Sequence, residues 1–313
     1  MYKGQRVAVV IPAYNEELLI LETLSGIPEY VDALFVVNDA SRDATLRLIT
    51  ERQQMDARII IINHETNKGL GQSLIDGYMA SRESAADITA VMAGDNQMHP
   101  DDLVSLLDKL IDGGFDYVKG NRLLHRNIGS MPRYRFFGNA LLTILTKFAT
   151  GYYPLMDPQC GYTVIKNSAL RVIPIDKMTK GYGYNADILC MLNIHGFRVT
   201  DAQVRPVYDR EKSKIKLWKY IPKTSLLLIR LFFRRLWQRY VVLDFHPLVL
   251  FYFYALFNLA FIALPLIVRF LYLYFTLNET PMTTLTILAL ALTTAFQSIL
   301  FAIWMDMDYN RVR

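Results

Sequence analysis

Arg6–Glu17 reads RVAVVIPAYNEE, an apolar run of strand length that gives way at once to Tyr14, Asn15 and two glutamates. A strand apolar at every position is covered on both faces, which is the habit of parallel sheets flanked by helices. Four similar runs follow: ALFVVND (33–39), ARIIIIN (57–63), ITAVMAG (88–94) and DYVKGN (116–121). Helix-like segments separate them near 16–25, 43–54, 71–81 and 100–112. The alternation predicts an α/β fold, a Rossmann-like and mostly parallel sheet with right-handed crossovers. Such sheets bind ligands beyond the carboxyl ends of their strands. The polar residues that follow each strand are therefore the candidates for chemistry.

The 313 residues are 52% hydrophobic and only 20% charged, and the apolar residues concentrate after Leu243. Phe245–Phe275 is almost wholly apolar, with Arg269 near enough to its far end to snorkel, and Thr283–Met305 carries no charge at all; each exceeds the ~20 residues that cross a bilayer. Before them, the basic and apolar stretch 216–243 reads as amphipathic helices in the membrane interface, started or interrupted near Pro222. The expected organisation is a cytosolic domain at 1–215, juxtamembrane helices at 216–243 and two transmembrane helices at 244–313. The connection TLNETP (276–281) lacks Lys and Arg, whereas Arg234, Arg235 and Arg239 precede the first span and Arg311 and Arg313 follow the second. That asymmetry puts both termini in the cytoplasm. The net charge of +5 gathers between Arg205 and Arg239, beside the spans. This favours a lipid bilayer over nucleic acid as the partner. The two cysteines, Cys160 and Cys190, form no CxxC pattern, which fits a reduced cytosolic location, and the N-terminus does not read as a signal peptide.

At the strand ends, PAYNEE supplies Pro12, Tyr14 and Glu16, and VVNDASRD (36–43) supplies Asp39, placed to accept from a base N–H or a ribose hydroxyl. Ser41 and Asp43 serve equally well as helix caps. The GxGxxG fingerprint is absent, which disfavours a dinucleotide fold of that kind. NKGLGQSLIDGY (67–78) places Gly69 and Gly71 at a helix start, either an anion seat or a tight turn. AVMAGDNQMHP (90–100) ends a strand near the sheet centre in Asp95 and Gln97, oxygen donors suited to Mg2+ or Mn2+. Asp101 and Asp102 fit the first turn of a helix. The five histidines have no metal-ligand spacing and read as surface or packing residues.

In order, PAYNEE, VNDASRD, NKGLGQSLIDGY, AGDNQMHPDDL, GNR (120–122), DPQCGYTVI (157–165), GYGYNADIL (181–189) and REKSKI (210–215) resemble the family 2 glycosyltransferases with the A-type (GT-A) fold. The closer resemblance is to the polyprenyl-phosphate glycosyltransferases, the group that includes dolichol-phosphate mannose synthase. It covers roughly residues 6–215, and the group's C-terminal membrane helices are matched too. The resemblance implies an inverting transfer of one sugar from a UDP- or GDP-hexose donor to a dolichyl or undecaprenyl phosphate. It implies that Pro12, Tyr14, Glu16, Val37 and Asp39 hold the nucleoside. Ala93 and Gly94 would line the donor, and Asp95 and Gln97 would bind the divalent metal bridging the diphosphate. Arg122 would stand near the donor sugar or phosphates, Arg133 near the acceptor phosphate, and Arg210, Ser213 and Lys214 at either phosphate. Asp157 and Asp187 are further polar candidates, structural or functional.

Two departures stand out. Ala93 occupies the place where many members carry the first carboxylate of Asp-x-Asp, which predicts a metal site that depends on the bound nucleotide. The segment between Arg210 and Lys214 is short, so Arg205 can take the role of Arg210. A processive polysaccharide synthase is the alternative enzyme, disfavoured by two spans and no QxxRW motif. A non-catalytic lipid- or nucleotide-binding scaffold is the alternative outside catalysis. Amphipathic helices with exposed Leu and Phe leave a homo-oligomer open.

Overall fold

The computed structural model describes residues 1–123, 133–181, 183–205, 217–277 and 281–311, in two compact units, Met1–Arg235 and Leu236–Arg313. The first unit is built on a seven-stranded sheet. Its strands are β1 (Val7–Ala13), β2 (Ala33–Asn38), β3 (Ile59–Asn63), β4 (Ile88–Val91), β5 (Tyr117–Asn121), β6 (Thr163–Lys166) and β7 (Val199–Gln203), in the order β3-β2-β1-β4-β6-β5-β7. β6 is antiparallel to both neighbours, and the other strands pair in parallel. The sheet is thus mostly parallel, with one reversed strand that the pattern of apolar runs does not predict.

β1 explains the apolar run that opens the chain. Val7, Val9 and Ile11 enter one core with Ile20 and Leu24 of α1 (Ile20–Gly26), Ile49 of α2 (Thr45–Gln53) and Leu103, Leu106 and Leu107 of α4 (Asp102–Ile111). Ala8 and Val10 enter the other, with Leu74, Ile75 and Tyr78 of α3 (Leu70–Glu83). Side chains alternate faces along a strand, and here each face has its own helices. Full burial of each Val or Ile contributes on the order of 1.5–3 kcal/mol. α3 approaches β1 so closely that a Cβ on Gly77 would stand 2.2 Å from Cγ1 of Val10.

Beyond β5, α5 (Arg133–Thr150), α6 (Asn167–Val172) and α7 (Tyr184–Ile194) complete the covering layers, and α8 (Leu217–Trp237) runs unbroken through Pro222. In the second unit, α9 (Leu248–Phe257) continues through a stretch of wider turns at Asn258–Ala263 into α10 (Leu264–Leu277), and α11 (Met282–Arg311) returns. Leu248–Thr276 and Met282–Arg311 are long and apolar enough to cross a membrane. α11 turns Thr284, Leu288, Ala291, Ala295, Ser298, Ala302 and Asp306 inward, a seam of mostly small residues that lets helices pack closely.

Candidate active site

Three loops at the carboxyl edge of the sheet hold residues in the left-handed region: Asn15 after β1 (φ 57°), Ala40 after β2 (φ 56°) and Asn96 after β4 (φ 55°). Asparagine tolerates this conformation, whereas alanine at Ala40 costs about 1–2 kcal/mol. The first two loops are stitched to each other. The amides of Asn15, Glu16 and Glu17 donate to Ser41 Oγ, Thr45 Oγ1 and Asp43 Oδ2, and the amides of Arg42 and Ala44 donate back to Asn15 Oδ1 and Glu17 Oε2. These bonds hold residues 14–17 in a loop, so α1 begins at Ile20 rather than near Glu16. Burial pushes the Asp43 carboxyl up, but the hydroxyl and amide of Thr45 and the amide of Glu17 outweigh it and hold it below the usual range.

The edge is continuous across three strands. Pro12 is the register partner of Val37, the amide of Asp39 donates to the carbonyl of Ala13 (2.9 Å), and the amide of Gly94 donates to that of Pro12 (3.2 Å). The structure therefore brings together Pro12, Tyr14, Glu16, Val37, Asp39, Ala93, Gly94, Asp95 and Gln97. Val37 is wholly buried in the core, so it offers a floor rather than a side chain, whereas the Tyr14 ring is exposed. The Asp39 carboxylate is buried and takes the amides of Lys68 (2.7 Å) and Gly69 (2.8 Å). It thus shapes the turn into α3. The space at Gly71 is filled by protein, since a Cβ there would stand 2.4 Å from the carbonyl carbon of Lys180.

The turn at Ala93–Gln97 is pinned from three sides. The Thr23 hydroxyl donates to the carbonyl of Gly94 (3.2 Å), the amide of Ala93 meets the Met98 sulfur (3.3 Å), and the amide of Gln97 donates to Asp95 Oδ1 (3.1 Å). No group of three or more His, Cys, Asp or Glu that could hold a metal occurs among the described residues. One carboxylate and one amide oxygen from the chain, with the rest supplied by diphosphate and water, fit a hard divalent ion such as Mg2+ or Mn2+.

The basic candidates are dispersed. Arg122 follows β5, and its Nε (2.8 Å) and Nη2 (3.2 Å) donate to the two oxygens of Asp157. Arg205 Nε (2.9 Å) and its amide (2.8 Å) donate to Asp102, and Nη2 (3.3 Å) to Asp101, so Arg205 anchors the start of α4. Arg133 opens α5, with its side chain outside the described residues, as Arg210, Ser213 and Lys214 are altogether. Asp187 is held by Thr179 and Arg234. Two groups nearby escape sequence reasoning. Lys119 is fully buried with Nζ 2.6 Å from Asn185 Oδ1, and His64 bridges Asp39 and Asp76 rather than filling space or facing solvent.

Known proteins share this layout. The "UDP-N-acetylglucosamine--dolichyl-phosphate N-acetylglucosaminyltransferase" of Methanococcus voltae is 28% identical over 214 residues, 64% of this chain and 85% of that protein. The "Undecaprenyl-phosphate mannosyltransferase" of Micrococcus luteus is 27% identical over 222 residues, 68% of this chain and 87% of that protein. The crystal structure of glucosyl-3-phosphoglycerate synthase from Mycobacterium tuberculosis with Mn2+, UDP-glucose and phosphoglyceric acid superposes with a TM-score of 0.54. The match covers 74% of this chain and 80% of that one at 20% identity, a likeness of fold. The profile of glycosyl transferase family 2 matches residues 8–173, more than half of the chain, and the chain belongs to that family.

Proposed function

We propose that the protein transfers one sugar, with inversion, from a nucleotide-sugar to a polyprenyl phosphate at the cytoplasmic face of a membrane, with both termini on that side. The observation that carries this reading is the unbroken edge from Val37 through Pro12 to Gly94, ending in Asp95 and Gln97, on a chain that also has two helices of membrane-spanning length. The two relatives named for transfer to dolichyl and undecaprenyl phosphate support the acceptor class.

In this reading the nucleoside lies on the β1–β2 edge, between the exposed Tyr14 ring and the turn that Asp39 shapes. Asp95 and Gln97 would hold Mg2+ or Mn2+, whose chemistry is to neutralise charge building on the departing diphosphate. Arg122, Arg210, Ser213 and Lys214 are the chain's own groups for the phosphates, with Arg133 for the acceptor. The Asp157 carboxylate fixes the Arg122 guanidinium in plane, which suits a directional contact to a phosphate oxygen. A lipid monophosphate is already anionic at neutral pH, so its oxygen attacks the anomeric carbon without a general base, and the bond to the diphosphate breaks on the opposite face.

The test is a screen of UDP- and GDP-sugars with the purified chain, Mg2+ or Mn2+ and a short polyprenyl phosphate, followed by mass spectrometry of the lipid. One donor should yield a lipid heavier by a single glycosyl phosphodiester-linked sugar, and Asp95→Ala should lower that rate at least 100-fold. Failure of every donor to label the lipid overturns the reading. Metal should bind weakly to the free protein and strongly with nucleotide, and tight binding without nucleotide would contradict shared ligation.

A further inference from the structure

His64 belongs to none of the motifs that define the donor edge, yet it joins three elements of it. The residue follows β3, and its amide donates to the carbonyl of Asn38 (2.9 Å), so sheet hydrogen bonding fixes where the ring starts. Nδ1 lies 2.8 Å from Asp39 Oδ1, and Nε2 lies 2.8 Å from Asp76 Oδ2 on α3. Both His64 and Asp39 are 4% exposed.

The chemistry of the bridge follows from counting hydrogens. An ionised carboxylate only accepts, and a neutral imidazole has one N–H, so it can donate to one carboxylate but not to two. Two contacts of hydrogen-bond length therefore require one proton more than a neutral imidazole between two carboxylates supplies. The remaining acceptor capacity is filled from the surroundings: Asp39 takes the amides of Lys68 and Gly69, and Asp76 takes Nε2 of Gln72 at 2.9 Å. The Asp39 carboxylate is thus held by His64 at Oδ1 and by the turn into α3 at both oxygens. Without the ring, it keeps one amide donor on each oxygen but loses its tie to α3 through Asp76.

We propose that His64 is a positioning residue for the donor: its ring ties Asp39 to Asp76, and so fixes the carboxylate and the Lys68–Gly69 turn that frame the nucleoside end of the site. The proposal rests on the nucleotide-sugar reading above. It is a role at second remove, acting through Asp39, since the ring itself is enclosed.

The experiment uses the full chain in detergent. Titration of UDP and GDP with Mn2+ identifies the nucleotide bound, and kinetics with the active donor follow. His64→Phe, which keeps a ring and loses both ring nitrogens, should raise the donor KM about tenfold, change kcat less than about twofold and leave the polyprenyl phosphate KM in place. Asp76→Asn lets the side-chain amide donate to Nε2, so Nδ1–H still reaches Asp39, and the donor KM should rise only about threefold. Histidine-selective 15N NMR should show both ring nitrogens of His64 hydrogen-bonded in the wild type and the Nε2 signal shifted in Asp76→Asn. A donor KM unchanged in His64→Phe, or His64 ring-nitrogen signals that do not move in Asp76→Asn, overturns the proposal. Should His64→Phe fail to fold, the Asp76→Asn kinetics and the NMR decide. A wild type that neither binds nucleotide nor turns over any donor instead sinks the donor reading itself.

Discussion

Lys119 carries a charge where β5 is covered on every side. Burial pushes its ammonium down from 10.5 to about 8, with Arg122 adding to the shift and Cys160 and Asp157 opposing it. The unfolded chain keeps this proton up to about 10.5, and the folded chain releases it near 8, so between those values the unfolded state binds more protons and stability rises with pH. Below pH 8 the cost of the buried charge is felt in full. Lys119→Met removes it. The stability difference between wild type and variant should therefore move in the wild type's favour by roughly 2 kcal/mol from pH 7 to pH 10. Thermal unfolding at several pH values measures this, and a difference that stays flat would show that Lys119 does not titrate as a buried ammonium. Nothing in DYVKGN announces such a lysine, because a lysine in a strand ordinarily points to solvent and its partner Asn185 lies 66 residues further on. The same holds for His64, whose partners come from a strand end before it and a helix after it. Tyr14, Asp39, Asp95 and Gln97 were readable as candidates for the opposite reason: each lies within three residues of the end of an apolar run, and strand ends are where such sheets place their polar loops.

At the scale of elements, the strand and helix alternation was readable because β1 to β4 are mainly apolar runs separated by helix-like segments, whereas β6 has four residues and no feature that fixes its direction. The basic stretch before the first span was harder. Arg234 and Arg235 look like charges flanking a membrane, yet both are turned into the first unit. Arg234 pairs with buried Asp187, and Arg235, wholly buried, donates from Nε to the carbonyl of Ala149 (3.2 Å) and from Nη2 to that of Phe148 (3.0 Å). These carbonyls end α5, so the guanidinium satisfies orphan acceptors and meets the negative end of the helix dipole. Gly151, at φ 77°, admits it, since a Cβ there would stand 2.6 Å from Arg235 Nη1. Arg235→Met should cost about 2 kcal/mol and lower Tm by roughly 4–8 °C. Arg235→Lys should recover less than half of the loss, because an ammonium cannot reproduce the planar fork. Equal Tm in all three proteins would show that α8 is held to α5 by apolar packing alone. The periodicity of 216–243 reveals an amphipathic helix but not which of its arginines face protein, since guanidinium partners on α5 and α7 leave no mark on the stretch itself.

The whole molecule combines a soluble-type α/β unit with a helical pair whose surface is apolar. Leu285, Leu290, Phe296, Phe301 and Trp304 of α11 and Phe253, Phe257, Phe261 and Leu264 of the first span are all exposed, an area that lipid covers naturally. At 1.5 Å per residue the two candidate spans of 29 and 30 residues are about 45 Å long, against ~30 Å of hydrocarbon, so across a bilayer their ends would project into the headgroups. The polar cluster at one end fits that depth: the Tyr240 hydroxyl donates to Asp306 Oδ1 (2.6 Å), Asn310 donates to Tyr240, and Arg239 lies over the rings of Tyr240 and Tyr309. Arg235 and Arg239 are buried and Arg234 is paired with Asp187, so a positive-inside bias would act largely through Lys223, Arg230 and the C-terminal arginines. Both native cysteines are buried, so an introduced cysteine reports cleanly on its own side. Met282→Cys, exposed at the start of α11, should react with a membrane-impermeant maleimide in intact cells, and Arg311→Cys should react only after the membrane is opened. The reverse pattern would put the catalytic unit on the outer face, where nucleotide-sugars made in the cytosol do not reach it, and would overturn the proposed topology and the supply of donor together.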